Sequence, residues 1–333
     1  GKIMANILEV KNLATCFHTF YGDVKAVNHI SFSMKEGEIL GVVGESGGGK
    51  SITGFSIIRL IDPPGEVTAD ALLFDGEDLL GKNEKEMNKI RGNKITMVFQ
   101  DPMTSLNPVY TIEHQIAEVL RLHQPGLSKE DCRKRCIELL KEVGIPNAEE
   151  RLKCYPHQFS GGMRQRVVIA IALAGSPKLI IADEPTTALD VTIQAQVLQL
   201  MARLVKEKGC ALMLITHDLA VVSEMADRVN VMYCGHIVES GITKEVIDHP
   251  LHPYTEGLLA SIPGSGKPRP DGRLDVIPGM VPNMYDLPQG CKFAPRCAKC
   301  MEICHTCEPE TVTLENGRSV ACHLYAAGRK EDC

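Results

Sequence analysis

The sequence predicts an α/β fold: a parallel sheet covered by helices, a helical insertion, and a small cysteine-rich C-terminal extension. Three observations predict it. The runs 95–99, 179–182 and 210–215 are apolar on both faces, as central strands of a covered parallel sheet are. The apolar run Ile39-Leu40-Gly41-Val42-Val43 leads into Gly44-Glu-Ser-Gly-Gly-Gly-Lys50-Ser51, and a helix-like stretch, 52–60, follows. Seven of the 13 cysteines crowd into the last 43 of 333 positions.

The strand–loop–helix segment carries the most specific chemistry. It fits G-x-x-x-x-G-K-[ST], with Gly44, Gly49, Lys50 and Ser51 at the fixed positions. Glycines such as Gly47 let the chain turn so that successive N–H groups, Ser46 and Ile52 included, point at phosphate oxygens. The helix start adds partial positive charge. Lys50 would reach the β- and γ-phosphates of ATP, and the Ser51 hydroxyl would sit on Mg²⁺. The plainer reading is a glycine-rich surface turn; the flanking strand and helix weigh against it.

Further along, residues 111–158 are more polar and helical in pattern, as in 129–143, and read as an insertion rather than sheet. Ile193, Val197, Leu200 and Leu204 repeat at helical spacing, with Lys206, Lys208 and Gly209 marking a C-terminal end. Residues 251–290 are rich in Pro and Gly and read as an ordered but irregular connector. No internal repeat or low-complexity tract is visible.

Composition narrows the class. An apolar share of 44% suits a chain that buries a real core. A formal charge of −6 gives no electrostatic footprint for nucleic acid. The longest apolar stretch, 167–174, is far short of the ~20 residues a membrane span needs. The N-terminus lacks the apolar core of a signal peptide, and Gly1 to Ile3, ahead of Met4, look like a cloning remnant. The expected location is therefore cytoplasmic.

Four more features complete the chemistry. Leu179-Ile-Ile-Ala-Asp183-Glu184-Pro185 is a strand ending in two acids. Asp183 can hold Mg²⁺ through its water shell, and Glu184 can orient and deprotonate the attacking water; an acidic turn capping a strand is the bland alternative. His217 follows the run 210–215, at a strand end where a histidine can bond a γ-phosphate oxygen; a lone histidine elsewhere would be structural. Gln100, after 95–99, can ligate Mg²⁺ or the attacking water, a weak signal by itself. Ser160-Gly161-Gly162 opens a helix and forms a second anion cradle. Two cradles with one lysine-bearing loop suggest that the second serves a neighbouring subunit's nucleotide.

Taken in order, the phosphate loop, Gln100, Ser160-Gly161-Gly162, Asp183-Glu184, Ala188-Leu189-Asp190 and His217 resemble the ATP-binding-cassette ATPases. Phe99-Gln-Asp-Pro-Met-Thr-Ser-Leu-Asn-Pro108, Tyr155-Pro-His-Gln-Phe-Ser-Gly-Gly162, His252-Pro-Tyr-Thr-Glu-Gly-Leu-Leu259 and Gly290-Cys-Lys-Phe-Ala-Pro-Arg-Cys297 narrow the resemblance to the dipeptide/oligopeptide/nickel importer branch. It covers nearly the whole chain. The resemblance implies a P-loop NTPase: a RecA-like parallel-sheet core with an N-terminal antiparallel β subdomain, residues 5–100 and 176–250. It implies a helical signature lobe, 101–175, touching membrane subunits, and a C-terminal extension, 251–333, with its cysteines at 291–322. It also implies a nucleotide-sandwich dimer, in which Ser160 and Gly162 of one subunit bind the γ-phosphate held by Lys50 of the other. The partner is a second copy or, as the resemblance favours, a paralogous ATPase. Two transmembrane permease subunits and, indirectly, an extracytoplasmic solute-binding protein are the further implied partners, and the cytoplasmic face of the membrane the implied place. Phe159, Met163 and Gly48 depart from common family residues without removing a catalytic group. An aromatic should stack on adenine, with Tyr21 and Phe17 as rivals.

The expected function is thus ATP hydrolysis powering uptake of di- or oligopeptides, or of nickel or another solute. The alternative is a soluble cassette ATPase acting on nucleic acid or ribosomes, with the cysteine tail as a recognition module.

In that tail Cys291, Cys297, Cys304 and Cys322 are spaced x5, x6 and x17, with Cys300, Cys307 and Cys333 extra. Neither the zinc-ribbon pattern nor the bacterial ferredoxin run fits. Four thiolates suit zinc or an iron–sulfur cluster, and the resemblance points to a [4Fe–4S] cluster, with Zn²⁺, or no metal or disulfides, as alternatives. A stabilising role is expected of it, with a redox sensor as a further reading.

Overall fold

In a computed structural model, residues 5–187, 189–262 and 276–326 are described. Gly1 to Ile3, Ala188, the Pro- and Gly-rich part of the connector at 263–275, and Cys333 lie outside them. The chain divides into two compact units. One comprises Met34–Glu38, Phe74–Leu214 and the N-terminal stretch to Leu8; the other comprises Glu9–Ser33, Ile39–Leu73 and the chain from Ile215 onward.

In the first unit, strands run in the order Ala211–Thr216, Leu179–Asp183, Ile95–Val98. The last two are parallel, in register from Ile95 opposite Leu179 to Val98 opposite Ala182. Leu179–Asp183 and Ala211–Thr216 are buried throughout, which their doubly apolar sequences anticipate. The expected insertion is helical: Ile112–His123, Lys129–Glu142 and the short Ala148–Arg151 precede the long helix Gly161–Ala174. The start signals are local. Thr111 and Ser128 accept from the N–H groups of His114 and Asp131, and each satisfies one of the donors a helix start leaves open. Cys132, Cys136, Leu139 and Leu140 form the buried stripe of Lys129–Glu142. Val191–Lys208 begins on Asp190, whose carboxylate accepts from the Ile193 N–H at 3.0 Å, and ends on Gly209 at φ +66°; a left-handed helix end favours glycine.

The second unit holds a sheet in the order Thr311–Thr313, Ser319–Ala321, His236–Ile242, Arg228–Tyr233, Ile39–Val43. The first three pairings are antiparallel and the last is parallel. Two strands of the cysteine-rich tail thus extend the sheet that carries the phosphate loop. A separate antiparallel pairing joins Asn6–Thr19 to Gly65–Thr68, from Ala14 opposite Thr68 to Phe17 opposite Gly65, as the expected N-terminal β subdomain requires.

Buried charge ties the tail to this sheet. Glu239 is fully buried, and its carboxylate accepts from Arg318 Nη2 at 2.7 Å and from the N–H groups of Leu251 and His252 at 3.0 and 2.9 Å. Buried carboxylates persist when paired and fully hydrogen-bonded in this way. The part of the connector expected to be irregular begins instead with a helix, Pro253–Ala260, with proline in its first turn and His252 as its cap. Nδ1 of His252 accepts from the Tyr254 N–H at 3.0 Å. The imidazole is 1% exposed, and burial pushes its pKa down to about 4.

A pH dependence follows. The unfolded chain takes up the His252 proton near pH 6.5 and the folded chain resists it down to about 4. Stability present above pH 6.5 is therefore lost progressively as the pH falls through that window, on the order of 3 kcal/mol at its lower end. His252→Asn, which keeps a cap acceptor without a titratable ring, is expected to flatten the fall in Tm between pH 6.5 and 4.5. An unchanged slope would show that His252 does not drive it.

Candidate functional site

The phosphate loop lies in the second unit, between the buried strand Ile39–Val43 and the helix Lys50–Ile57. Gly44 has φ +152° and Gly49 φ +90°. A Cβ on Gly44 would collide with the Met232 carbonyl oxygen, and one on Gly49 with that of Ala26. Both conformation and space therefore demand glycine here. Gly49 caps the helix with no side-chain bond to its first N–H groups. Such a start presents backbone donors and the positive end of the helix dipole to an anion. Ser46 and Gly47, at the crest, are exposed, whereas Lys50 is 5% exposed. Its Nζ donates to the carbonyl oxygens of Gly44 and Glu45 at 2.8 and 2.9 Å. The ammonium is thus held inside the loop's own curl. Ser51 and Ile52, both half-buried, follow in the first helical turn.

The same unit carries Phe17, Tyr21 and His217. Phe17 is half-buried on Asn6–Thr19, and Tyr21 sits at the turn after it, 84% exposed and edge-on to Phe20 at 5.6 Å. His217 is exposed immediately after Ala211–Thr216. Asp218 next to it caps the helix Leu219–Met225 through the N–H groups of Ala220 and Val221.

The first unit carries the acids and the second cradle. Asp183 ends its strand and is 5% exposed. Glu184 follows at φ +42°, a left-handed conformation that costs a non-glycine residue energy and often marks a functional position. Its Oε2 accepts from Thr187 Oγ1 at 2.7 Å and, at the edge of hydrogen-bond range, from Gln100 Nε2 at 3.5 Å. The structure therefore brings Gln100 and Glu184 together. Ser160 caps Gly161–Ala174, its Oγ accepting from the Met163 N–H at 3.3 Å. Gly161 is exposed; Gly162 packs so close to Ile193 that a Cβ would clash with Cγ2. Of Ala188-Leu189-Asp190, Leu189 and Asp190 lie in the turn before Val191–Lys208, and Ala188 lies outside the described residues.

Sequence reasoning assigned no role to Glu45, Tyr254 or Arg296. In the structure Tyr254 Oη accepts from the Glu45 N–H at 2.7 Å, and Arg296 clasps the Glu45 carboxylate. Tyr254 and Arg296 were visible as members of branch-specific stretches, but nothing local to either pointed at the loop.

Among the described tail residues Cys291, Cys297, Cys300, Cys304 and Cys322 are free cysteines. Cys304 and Cys322 are buried, Cys291 and Cys297 half-buried, and Cys307 is in a disulfide. Burial raises the Cys291, Cys297 and Cys322 thiols, Cys291 to about 11. A tetrahedral zinc, at about 2.3 Å from each sulfur, holds its sulfurs within about 4 Å of one another. Among the described residues, the group that brings three ligand-type atoms within 4.8 Å of one another is Cys16, His18 and Asp23, not the tail.

Residues 27–187 match the family model described as ABC transporter, and residues 238–304 match that described as Oligopeptide/dipeptide transporter, C-terminal region. The chain is 52% identical over 326 residues to the oligopeptide transport ATP-binding protein AppD of Bacillus subtilis (strain 168), covering 97% of this chain and 98% of that protein. It is 49% identical over 325 residues to the dipeptide transport ATP-binding protein DppD of Escherichia coli (strain K12), with the same coverage. Among solved structures, the dimeric post-hydrolysis state of the ATP-binding cassette MJ0796 bound to ADP and Pi superposes with a TM-score of 0.64 at 30% identity, over 71% of this chain and 98% of that one. These descriptions and names speak of ABC transport and of ATP binding in oligopeptide or dipeptide transport, and none names an iron–sulfur element. The expected iron–sulfur cluster on Cys291, Cys297, Cys304 and Cys322 is accordingly corrected.

Proposed function

The chain belongs to the ABC transporter family, in its oligopeptide/dipeptide branch, and we propose that it hydrolyses ATP to power peptide uptake through separate membrane subunits. The observation that carries this is the end-to-end match: likeness to AppD and DppD runs through the cassette and on into the C-terminal region. ATP and Mg²⁺ are its substrate and cofactor.

In this reading Lys50 exchanges the Gly44 and Glu45 carbonyls for β- and γ-phosphate oxygens, and loop N–H groups take the rest. Ser51, Gln100 and Asp183 would hold the metal, whose positive charge would offset the charge that develops on the phosphates. Glu184 positions the attacking water and accepts its proton, and His217 donates to the γ-phosphate. Ser160, Gly161 and Gly162 form the cradle for the nucleotide of a partner cassette, a paralogue or a second copy. Tyr21 or Phe17 stacks on adenine. Most of the acceleration then comes from positioning and charge stabilisation rather than covalent chemistry.

No helix among the described residues is long and apolar enough to cross a membrane; in this reading two separate permease subunits supply the path. Residues near 101–110, where Val109 is 70% exposed, are our candidates for transmitting cassette movement to them. A solute-binding protein would act from the opposite side of the membrane. The regions 5–100 with 176–250, 101–175 and 251–333 are our division of these tasks. Detergent-solubilised membranes expressing the tagged chain are expected to yield two membrane proteins in stoichiometric amount. Co-purification with ribosomes or DNA in their place would overturn the transport reading.

A further inference from the structure

Glu45 is an acid inside a loop whose task is to hold a triphosphate, and three groups converge on it. Arg296 donates from Nη1 and Nη2 to its two carboxylate oxygens at 2.6 and 3.1 Å. Tyr254 Oη accepts from its N–H at 2.7 Å, and its carbonyl accepts from Lys50 Nζ at 2.9 Å. The Arg296 side chain is 4% exposed and fixed at every edge: Nε donates to the Pro278 carbonyl at 2.9 Å, and Nη1 approaches Tyr233 Oη at 3.4 Å. Around it Tyr233, Tyr254, His252 and Phe293 pack ring against ring, with centroids 4.7–5.8 Å apart. Such packing and the paired donors hold the guanidinium in one place. Its hydrogen bonds to the Glu45 carboxylate also raise the Arg296 pKa, so the charge is permanent.

We propose that Arg296, from the C-terminal extension, is a positioning residue for nucleotide binding: it neutralises and orients Glu45, so that the acid does not oppose the phosphates and the loop keeps the curl that Lys50 spans. The extension thereby becomes a working part of the ATP site rather than an appendage. This rests on the ATP-site reading above, and the test separates the two.

Affinity for a fluorescent ATP analogue with Mg²⁺ is measured on the full chain. Failure of the wild-type chain to bind would sink the ATP-site reading itself. With wild-type binding in hand, Arg296→Gln is expected to weaken affinity about tenfold by uncovering one negative charge close to the phosphates. The loss should shrink as salt rises from about 0.05 to 0.5 M, because an uncovered charge is screened. Arg296→Lys, which keeps the charge but loses the two-pronged geometry, should fall between wild type and Arg296→Gln, and the double variant Arg296→Gln with Glu45→Gln should bind within about threefold of wild type because it removes the negative charge as well. Wild-type affinity in Arg296→Gln overturns the proposal. So does a double variant as weak as the single one, since that would make Arg296 a packing residue only. Should Arg296→Gln fail to fold, Glu45→Gln alone decides: with the acid neutralised and Arg296 in place, affinity is expected to rise, and an unchanged affinity overturns the proposal.

Discussion

Glu184→Gln is expected to stop ATP turnover while leaving ATP bound. The carboxylate accepts from Thr187 Oγ1 at 2.7 Å, and the amide oxygen of glutamine can accept the same bond. The strained backbone at φ +42° is untouched by the substitution. What disappears is basicity. General-base catalysis contributes on the order of 10²–10⁴-fold, so the rate should fall by at least the lower figure, with nucleotide affinity within a few-fold of wild type. Binding persists because a neutral side chain repels the γ-phosphate less than an anion does. Steady-state phosphate release and equilibrium nucleotide binding on one preparation give both numbers. Hydrolysis at the wild-type rate would remove Glu184 from the base role and leave the carboxylate as a mere partner of Thr187 and Gln100.

Where the fold was legible in advance, the signal was short-range. The runs around 95–99, 179–182 and 210–215 became parallel-sheet strands because apolar residues on both faces have no other place to go. Gly209 and the lysines before it ended a helix where expected. The helix anticipated at 52–60 runs Lys50–Ile57; Arg59 turns left-handed at φ +54°, which apolar spacing cannot foresee. Pro253–Ala260 falls inside the stretch, 251–290, whose overall Pro and Gly content reads as irregular. Proline in a first turn loses no hydrogen bond and suits a helix. Gly257 is tolerated where a Cβ would clash with Ile277.

The site divided in the same way. The loop, the paired acids and the Ser160 cap were readable because each is a contiguous motif whose chemistry depends on its own backbone. The Arg296–Glu45 clasp spans 251 positions, and neither residue type is unusual where it stands, so only the fold could bring it out. The cysteines misled for the opposite reason. Their crowding is conspicuous, yet what the tail contributes is two sheet strands, Arg318 on buried Glu239, and Arg296 on the loop. Structural cysteines behave as small apolar side chains when buried.

Lys50→Ala is expected to abolish measurable ATP binding, an effect of two orders of magnitude or more. The ammonium is 5% exposed and spans the loop by donating to the Gly44 and Glu45 carbonyls at 2.8 and 2.9 Å. Alanine removes a charge-assisted partner of the phosphates. It also leaves the Gly44 and Glu45 carbonyl oxygens, the first of them buried, without this donor, so the curl that presents the backbone N–H groups loses its brace. The two losses separate experimentally. Lys50→Met keeps the length and apolar stem of the side chain and drops the charge. Affinity as poor in Lys50→Met as in Lys50→Ala, with Tm near wild type in both, would assign the effect to the phosphate contact. A fall in Tm in both, with affinity for ADP and ATP reduced alike, would assign it to the brace. Tight MgATP binding by either variant would contradict the placement of the triphosphate on this loop and take the ATP-driven reading of the whole chain with it.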